Sequence, residues 1–244
     1  MNWIPRSYLT ASVAQSQETR YVWDEGNLAW VYTVAESVDR QTLPWANWIH
    51  AAICGLTIAT AEWVVFRLQP FHKDRSPELA IEAAWCANID PRYCYSLEFS
   101  RREWTGPIRG PLLTCMNLMQ ECLFESPDAG TKPLHCPLLA AQLVEHVCGE
   151  SRDAFNVWRD QIIRRLHRFY QAPEPLSDLY GELESKMVVP PQAFDPAVDF
   201  DIKDAPALAD AFLQSVDYQS NPRLVPPDRM RSNGFEGIPY HYPS

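Results

Sequence analysis

The chain has 244 residues, of which 46% are hydrophobic and 21% are charged, a balance that predicts a folded globular protein with a substantial core. Its formal net charge of −10 argues against non-specific binding to nucleic acids and to anionic membrane surfaces, because both depend on clusters of lysine and arginine. Seven cysteines, an odd number, and a start without a secretory signal favour a reduced, cytoplasmic protein over a disulfide framework.

Hydrophobic periodicity predicts six helices in the first 170 residues, joined by short connections. Ser76 and Ser151 are the predicted N-caps of the third and sixth helices, and Gly149 is predicted to end the fifth. A connector punctuated by two Gly-Pro pairs separates the third helix from the fourth. The predicted bounds are 27–40, 44–66, 76–88, 112–124, 137–148 and 152–169.

The second predicted helix contains the most apolar part of the chain. No acidic or basic residue occurs in 41–61, but Pro44, Asn47 and His50 interrupt the first half of that stretch. The uninterrupted part, 51–61, is too short to cross a bilayer, which takes about 20 apolar residues. This pattern predicts a buried core helix rather than a membrane span.

The composition changes after Gln171, where prolines become frequent and the periodicity weakens. Between Gln171 and Asp217 there are ten acidic residues and two lysines, a net charge of −8. One short helix is predicted at 205–216, and the aromatic tail beyond it is expected to pack on the helical body. We therefore predict a mainly α, single-domain fold, with a helical core in 1–170 and an acidic, proline-rich extension in 171–244 packed over it.

The segment FDPAVDFDIKD, residues 194–204, is the most informative part of that extension. A calcium loop of the EF-hand type needs glycine at its sixth position and glutamate at its twelfth. If the loop is counted from Asp199, this chain has Asp204 and Asp210 at those two positions. A solvated acidic loop is the simplest alternative. We favour a third interpretation, a protein interface, because apolar residues alternate with the aspartates and would combine anchoring with electrostatic steering. The predicted partner-binding residues are Asp195, Asp199, Phe200, Asp201 and Asp204.

Two histidine–cysteine pairs raise the question of a metal site. His135 is adjacent to Cys136, and one residue separates His146 from Cys148. Structural zinc sites favour pairs separated by two to four residues, so neither spacing fits and no metal is predicted.

Motifs of known hydrolases are missing from the sequence: it has no G-x-S-x-G, H-E-x-x-H or P-loop pattern. A carboxylate pair inside the helical bundle remains conceivable for Glu62, Glu121 and Glu145, although arginine partners or surface exposure are simpler explanations. No catalytic residue and no cofactor is predicted.

Arginines gather on the sixth predicted helix, in the segment IIRRLHR, and give 151–171 a net charge of +3. In a strongly acidic protein we interpret this as a solvated face rather than a nucleic-acid site. The same face could also dock the acidic extension that follows it, and the sequence leaves both arrangements open. Arg109, between two Gly-Pro turns, could hold an anion or lie at a loop tip.

These observations favour a non-enzymatic, cytoplasmic binding or inhibitor protein that engages a basic protein partner. Bacterial immunity proteins that block the positive active-site cleft of a nuclease toxin share this physical character, although no motif in the chain carries a resemblance to them. The alternative is an enzyme, for example a metal-assisted hydrolase, with its active site inside the helical bundle. A structural subunit of a larger assembly is a third possibility.

Overall fold

A computed structural model describes residues 6–12, 18–24, 26, 29, 31, 33, 38–124, 132–172 and 187–242. The mainly α prediction is confirmed, and over these ranges the extended pairing is limited to two isolated bridges, Trp48 with Gln171 and Cys94 with Leu224. The helices are α1 (Ser7–Ser12), α2 (His50–Leu68), α3 (Ser76–Ile89), α4 (Gly106–Phe124), α5 (Lys132–Val147), α6 (Arg152–Phe169), α7 (Ala205–Ser215) and α8 (Pro227–Ser232).

Helix α2 lies at the centre of the molecule and packs against α3, α4 and α5. Every residue from Ala52 to Leu68 is buried. Within the described part of the chain, the segment His50–Phe71 is long and apolar enough to cross a membrane, but 94% of its most apolar window is buried by the rest of the fold. The prediction of a buried core helix is therefore confirmed.

The predicted start of α2 near Pro44 is wrong, because the helix begins at His50. The backbone immediately before His50 is not helical because it pairs with the chain at the end of α6. Ile49 N–H donates to the carbonyl of Tyr170 at 3.1 Å, and Ala172 N–H donates to the carbonyl of Asn47 at 2.7 Å. The first predicted helix, 27–40, lies largely outside the described residues. Positions 26, 29, 31 and 33 are helical, but Val38 and Asp39 are not.

Helices α4 and α5 both begin earlier than predicted, because Pro111 and Pro137 lie inside these helices rather than at their starts. Gly106, with a φ of 79° that favours glycine, begins α4, and Pro111 lies inside the helix. Pro111 has no N–H to donate to the carbonyl of Pro107, and the hydroxyl of Tyr21 donates to that oxygen instead. In α5, Pro137 likewise leaves the carbonyl of Pro133 without a helical donor, and the Cys122 sulfur lies 3.8 Å from that oxygen.

Neither predicted serine cap is made by its side chain. Ser76 is the first residue of α3, and the carboxylate of Asp74 accepts the hydrogen bond from its N–H at 2.9 Å. Ser151 precedes α6 without a capping hydrogen bond, but Gly149 does follow the end of α5 as predicted. The predicted stripe on α6 is buried except for its last residue, Phe169, which is only partly buried.

The C-terminal residues pack on the connector between α3 and α4. The rings of Phe235 and Tyr240 lie 5.6 Å and 5.0 Å from the ring of Tyr93. The Tyr240 hydroxyl also donates to the carbonyl of Val225 at 2.9 Å, and Val225 N–H donates to the carbonyl of Tyr93 at 2.9 Å. Aromatic contacts and backbone hydrogen bonds therefore hold the tail against the helical body.

Candidate functional site

The segment before α7 is docked on α2 and α3 through one aromatic residue. Phe194 ends the 3₁₀ turn Pro191–Phe194 and is fully buried, with its ring 5.2 Å from the ring of Trp85. A Cβ added to Gly55 of α2 would lie only 2.5 Å from this phenyl ring. Glycine at position 55 is therefore what allows the segment to approach the central helix so closely.

Helix α6 holds the same segment by its backbone carbonyl groups. The Arg165 guanidinium donates to the carbonyls of Ala193 at 3.2 Å, Asp195 at 2.8 Å and Val198 at 2.9 Å. Trp158 adds a hydrogen bond from its Nε1 to the carbonyl of Phe194 at 3.0 Å. Burial lowers the pKa of Arg165, although nearby Asp195 and Asp199 act in the opposite direction. The arginine-bearing helix thus does dock the extension, through carbonyl oxygens.

The predicted partner-binding residues fall into an exposed group and a group that stabilises the loop. Asp199, Asp201 and Asp204 are exposed. Asp195 is partly buried, and its two carboxylate oxygens both lie 2.9 Å from the hydroxyl of Ser7 in α1. Phe200 is only 7% exposed. Three of the five residues therefore lie on the surface as a partner site requires.

Phe200 packs into the molecule rather than standing beside the exposed aspartates. Its ring lies 5.7 Å from the ring of Phe169 and 6.3 Å from that of Tyr170, at the end of α6. An apolar residue in the alternating pattern can face the core as well as a partner, and the sequence does not distinguish the two. The ring fixes the loop, and it is not available as a surface anchor.

One of the exposed aspartates, Asp201, also has a structural role, because it caps a turn. The carboxylate of Asp201 accepts a hydrogen bond from Lys203 N–H at 3.0 Å and caps the 3₁₀ turn Ile202–Asp204, which leads directly into α7. Negative charges at a helix N-terminus are also stabilised by the helix dipole. Capping explains the residue type at position 201, but it leaves Asp199 unexplained.

A groove of about 620 Å³ lies between α6 and the loop that contains Asp195. Its apolar lining includes Ala154, Val157, Pro196 and Ala197, and Asp153 and Asp195 line it as well. Val157 is 59% exposed, on the otherwise polar side of α6. Val157 was the one indication of the groove in the sequence, because this apolar residue lies outside the buried stripe of α6.

Of the three bundle carboxylates considered in the sequence, Glu62 is the most deeply buried, at 1% exposure. One oxygen accepts a hydrogen bond from the Tyr8 hydroxyl at 2.5 Å, and the other accepts one from Trp85 Nε1 at 2.7 Å. Arg6 Nε lies 3.4 Å from the second oxygen. Both oxygens are occupied by protein groups, so this cluster acts as a structural link between α1, α2 and α3. Glu145 lies at the surface, 3.5 Å from Arg159.

A second cleft, of about 740 Å³, lies beside α4 and is more polar. Its lining includes Asp24, Arg101, Asn117 and Glu121, together with Trp104. Opposite charges and an amide facing one concavity are features that a small polar ligand can use. Glu121, the third carboxylate considered in the sequence, thus lines a cleft rather than the core.

The two histidine–cysteine pairs do not combine into a metal centre. His146 Nε2 lies 2.7 Å from the carbonyl of Val22, and the Cys148 sulfur is directed at the carbonyl of Trp63, 3.6 Å away. His135 Nε2 lies 3.3 Å from the carbonyl of Val38. Across the described residues, no three histidine, cysteine or carboxylate side chains are arranged to hold a metal ion.

Arg109 lies in the first turns of α4 rather than at a loop tip. Its guanidinium donates to the carbonyl of Glu103 at 3.1 Å and stands 5.4 Å from the ring centre of Trp104. These contacts give Arg109 a role in closing the turn before α4.

Comparison with protein-family models, with curated protein sequences and with solved structures finds no match for this chain. Its function is therefore argued from the geometry of its surface and its interior.

Proposed function

We propose that this protein is a non-enzymatic binding protein that engages a basic protein partner through the acidic surface formed by Asp199, Asp201 and Asp204. One observation carries the proposal: α6 holds the loop by its carbonyl oxygens, and the three carboxylates remain exposed. Had the arginines of α6 bound the aspartate side chains instead, the negative charge would have been neutralised within the molecule.

The firm attachment of the loop favours binding. A flexible acidic segment loses conformational entropy when it binds, whereas a loop already fixed by Arg165, Trp158 and the Phe194 ring loses little. Exposed charges of one sign also accelerate the encounter with an oppositely charged partner. The acidic surface is thus preorganised for electrostatic recognition.

The groove beside the acidic surface offers a partner an apolar contact in addition to the charged one. The two features adjoin, because Asp195 lines the groove and its loop continues into the acidic surface. A partner segment with an apolar side chain flanked by lysine or arginine would match both. An inhibitor of the immunity type, which covers the positive active-site cleft of a nuclease, is one form of this proposal.

The test is capture of the partner from the native lysate by tagged protein, at low and at moderate salt. The test variant carries Asp199→Asn, Asp201→Asn and Asp204→Asn, and asparagine still caps the turn at position 201. The control variant carries Glu98→Gln, Glu103→Gln and Glu236→Gln, three exposed acids elsewhere on the surface. Both variants change the net charge equally.

We expect a stoichiometric basic protein that the wild type and the control capture and the test variant does not. Its yield should fall with salt, because exposed charges are screened over about 10 Å at 0.1 M ionic strength. Equal capture by both variants would overturn the proposal. If no protein is captured, the enzyme alternative leads, with the cleft lined by Asp24, Arg101, Asn117 and Glu121 as its candidate site.

A further inference from the structure

Three cysteines from three different helices meet in the interior near the start of α2. The sulfurs of Cys54 in α2 and Cys122 in α4 lie 3.1 Å apart, and Cys136 of α5 hydrogen-bonds to Cys122. Thr57 Oγ1 lies 3.6 Å from the Cys122 sulfur, and His50 Nε2 lies 3.3 Å from the Cys54 sulfur. All three thiols are buried, whereas His50 is partly exposed.

The surroundings of the two closest sulfurs favour different protonation states. Burial raises the pKa of Cys54 well above its ordinary value, and its hydrogen bond with Cys122 acts in the same direction. Burial also disfavours the Cys122 thiolate, but hydrogen bonds with Cys136 and Cys54 and the nearness of His50 lower its pKa well below the ordinary value. Cys122 is therefore the more readily ionised of the two thiols, and it is the one that supplies the attacking thiolate.

The spacing of the sulfurs does not suit a metal ion. Zinc binds thiolates at about 2.3 Å in a tetrahedral arrangement, which places two ligand sulfurs about 3.8 Å apart. Cys54 and Cys122 are closer than this, and the Cys54 sulfur also donates to the carbonyl of Cys122 at 3.0 Å. By contrast, the sulfurs need to approach by only about 1 Å to reach the disulfide bond length of about 2.05 Å.

We propose that Cys54 and Cys122 form an oxidation site, in which hydrogen peroxide converts the two thiols into an intramolecular disulfide that links α2 to α4. The Cys122 thiolate attacks one peroxide oxygen, the O–O bond breaks, and Cys122 sulfenic acid and hydroxide result. The hydroxide takes up the proton that Cys122 lost on ionisation and becomes the first water. The Cys54 thiol then attacks the sulfenic sulfur, the S–O bond breaks, and the departing hydroxyl takes the Cys54 proton and leaves as the second water. Two thiols and one peroxide thus give one disulfide and two waters.

Access to the pair lies at the N-terminal end of α2. His50 is the first residue of that helix and is partly exposed, and its imidazole contacts the Cys54 sulfur directly. The proposed reaction therefore requires peroxide to pass the first turn of α2, because the two sulfurs themselves are buried. Hydrogen peroxide is small enough to take this route, whereas a protein disulfide is not. The proposal is independent of the acidic surface and of any partner.

The experiment is peptide mapping of the folded, wild-type protein after treatment with hydrogen peroxide, alkylation of the remaining thiols and digestion. We expect a cross-linked peptide pair that contains Cys54 and Cys122 and is lost on treatment with dithiothreitol. Cys115, which is fully buried two turns earlier on α4, is the internal control and should remain a free thiol.

Variants assign the two steps of the reaction. Cys54→Ser should stop the reaction at Cys122 sulfenic acid, which dimedone traps, and Cys136→Ser should still give the cross-link. A Cys122–Cys136 disulfide in the wild type, oxidation of Cys122 beyond sulfenic acid without a cross-link, or no change in either thiol would each overturn the proposal. These outcomes are read from the wild type, so the test does not depend on the stability of any variant.

Discussion

At the scale of single residues, Glu62 illustrates how one buried charge organises three helices. Its carboxylate accepts hydrogen bonds from Tyr8 of α1 and Trp85 of α3, and Arg6 lies beside it. Burial, together with Glu62, raises the pKa of Tyr8 well above its ordinary value, so the phenol remains a donor. A buried carboxylate is costly unless its oxygens are satisfied, and here both are.

Replacement of this carboxylate should therefore weaken the fold. We expect Glu62→Gln to lower the free energy of unfolding by about 1–3 kcal/mol, because an amide nitrogen cannot accept the hydrogen bond that one carboxylate oxygen accepts. Glu145→Gln, which affects the surface pair with Arg159, is the matched control and should cost less than about 1 kcal/mol. Urea unfolding measures both, and equal losses would contradict the structural role assigned to Glu62.

At the scale of elements, the contact between α6 and the extension depends on the geometry of arginine. The guanidinium of Arg165 reaches three carbonyl oxygens at once, on Ala193, Asp195 and Val198. Lysine carries a single ammonium group and cannot reproduce this planar arrangement of donors. The position of the acidic surface therefore depends strongly on this side chain of α6, together with the Trp158 hydrogen bond to the carbonyl of Phe194.

We expect Arg165→Lys to cost about 1.5–3 kcal/mol of stability, the range for a hydrogen bond to a charged group. It should also increase hydrogen exchange in 191–204 while the central helix α2 remains protected. Arg164→Lys, on the exposed neighbouring position, is the control and should leave exchange unchanged. Equal exchange rates in 191–204 for both variants and the wild type would show that the Phe194 ring and the Trp158 hydrogen bond fix the segment without Arg165.

The same elements show how far the sequence could predict the structure. The stripe on α6 was predicted because burial of Phe155, Trp158, Ile162 and Leu166 follows the helical period. The packing of the extension on the core was predicted as well, and its docking on the arginine face was left open. The contacts that make this docking could not be predicted, because Arg165 binds carbonyl oxygens, which every residue carries and no sequence pattern marks. The starts of α4 and α5 were misplaced for a related reason: a donor distant in sequence, such as Tyr21, compensates for the missing N–H of a proline.

The sequence predicted the exposed aspartates of the candidate site, but it did not predict the burial of Phe200 or the neighbouring groove. Asp199, Asp201 and Asp204 are exposed as a charged loop predicts, but the inward direction of Phe200 depends on ring contacts at the end of α6. Alternation of apolar and charged residues indicates two faces and does not indicate which face meets the core. The groove beside Val157 depends on the approach of two distant segments, so only its exposed valine was visible in the sequence.

At the scale of the whole molecule, burial of thiols and phenols dominates the titration at high pH. Burial raises the pKa of Cys94 to about 11 and that of Cys148 to about 12. Burial and the charge of Asp90 raise the pKa of Tyr93 to about 12, and burial raises that of Tyr170 as well. In the unfolded chain these groups ionise near their ordinary values of 9.0 for cysteine and 10.0 for tyrosine.

We therefore expect the protein to lose stability steadily above about pH 9. Below that pH these two thiols and two phenols are protonated in both states and contribute no pH dependence. Above it the unfolded chain binds fewer protons than the folded one, so each such group lowers the free energy of unfolding by about 1.4 kcal/mol per pH unit until it ionises in the folded state. Urea unfolding under reducing conditions, from neutral pH to about pH 11, measures this slope. The tyrosine absorbance of the native protein should show delayed phenol ionisation over the same range. A stability that stays constant to about pH 11 would contradict the raised pKa values, because folded and unfolded chains would then bind protons equally.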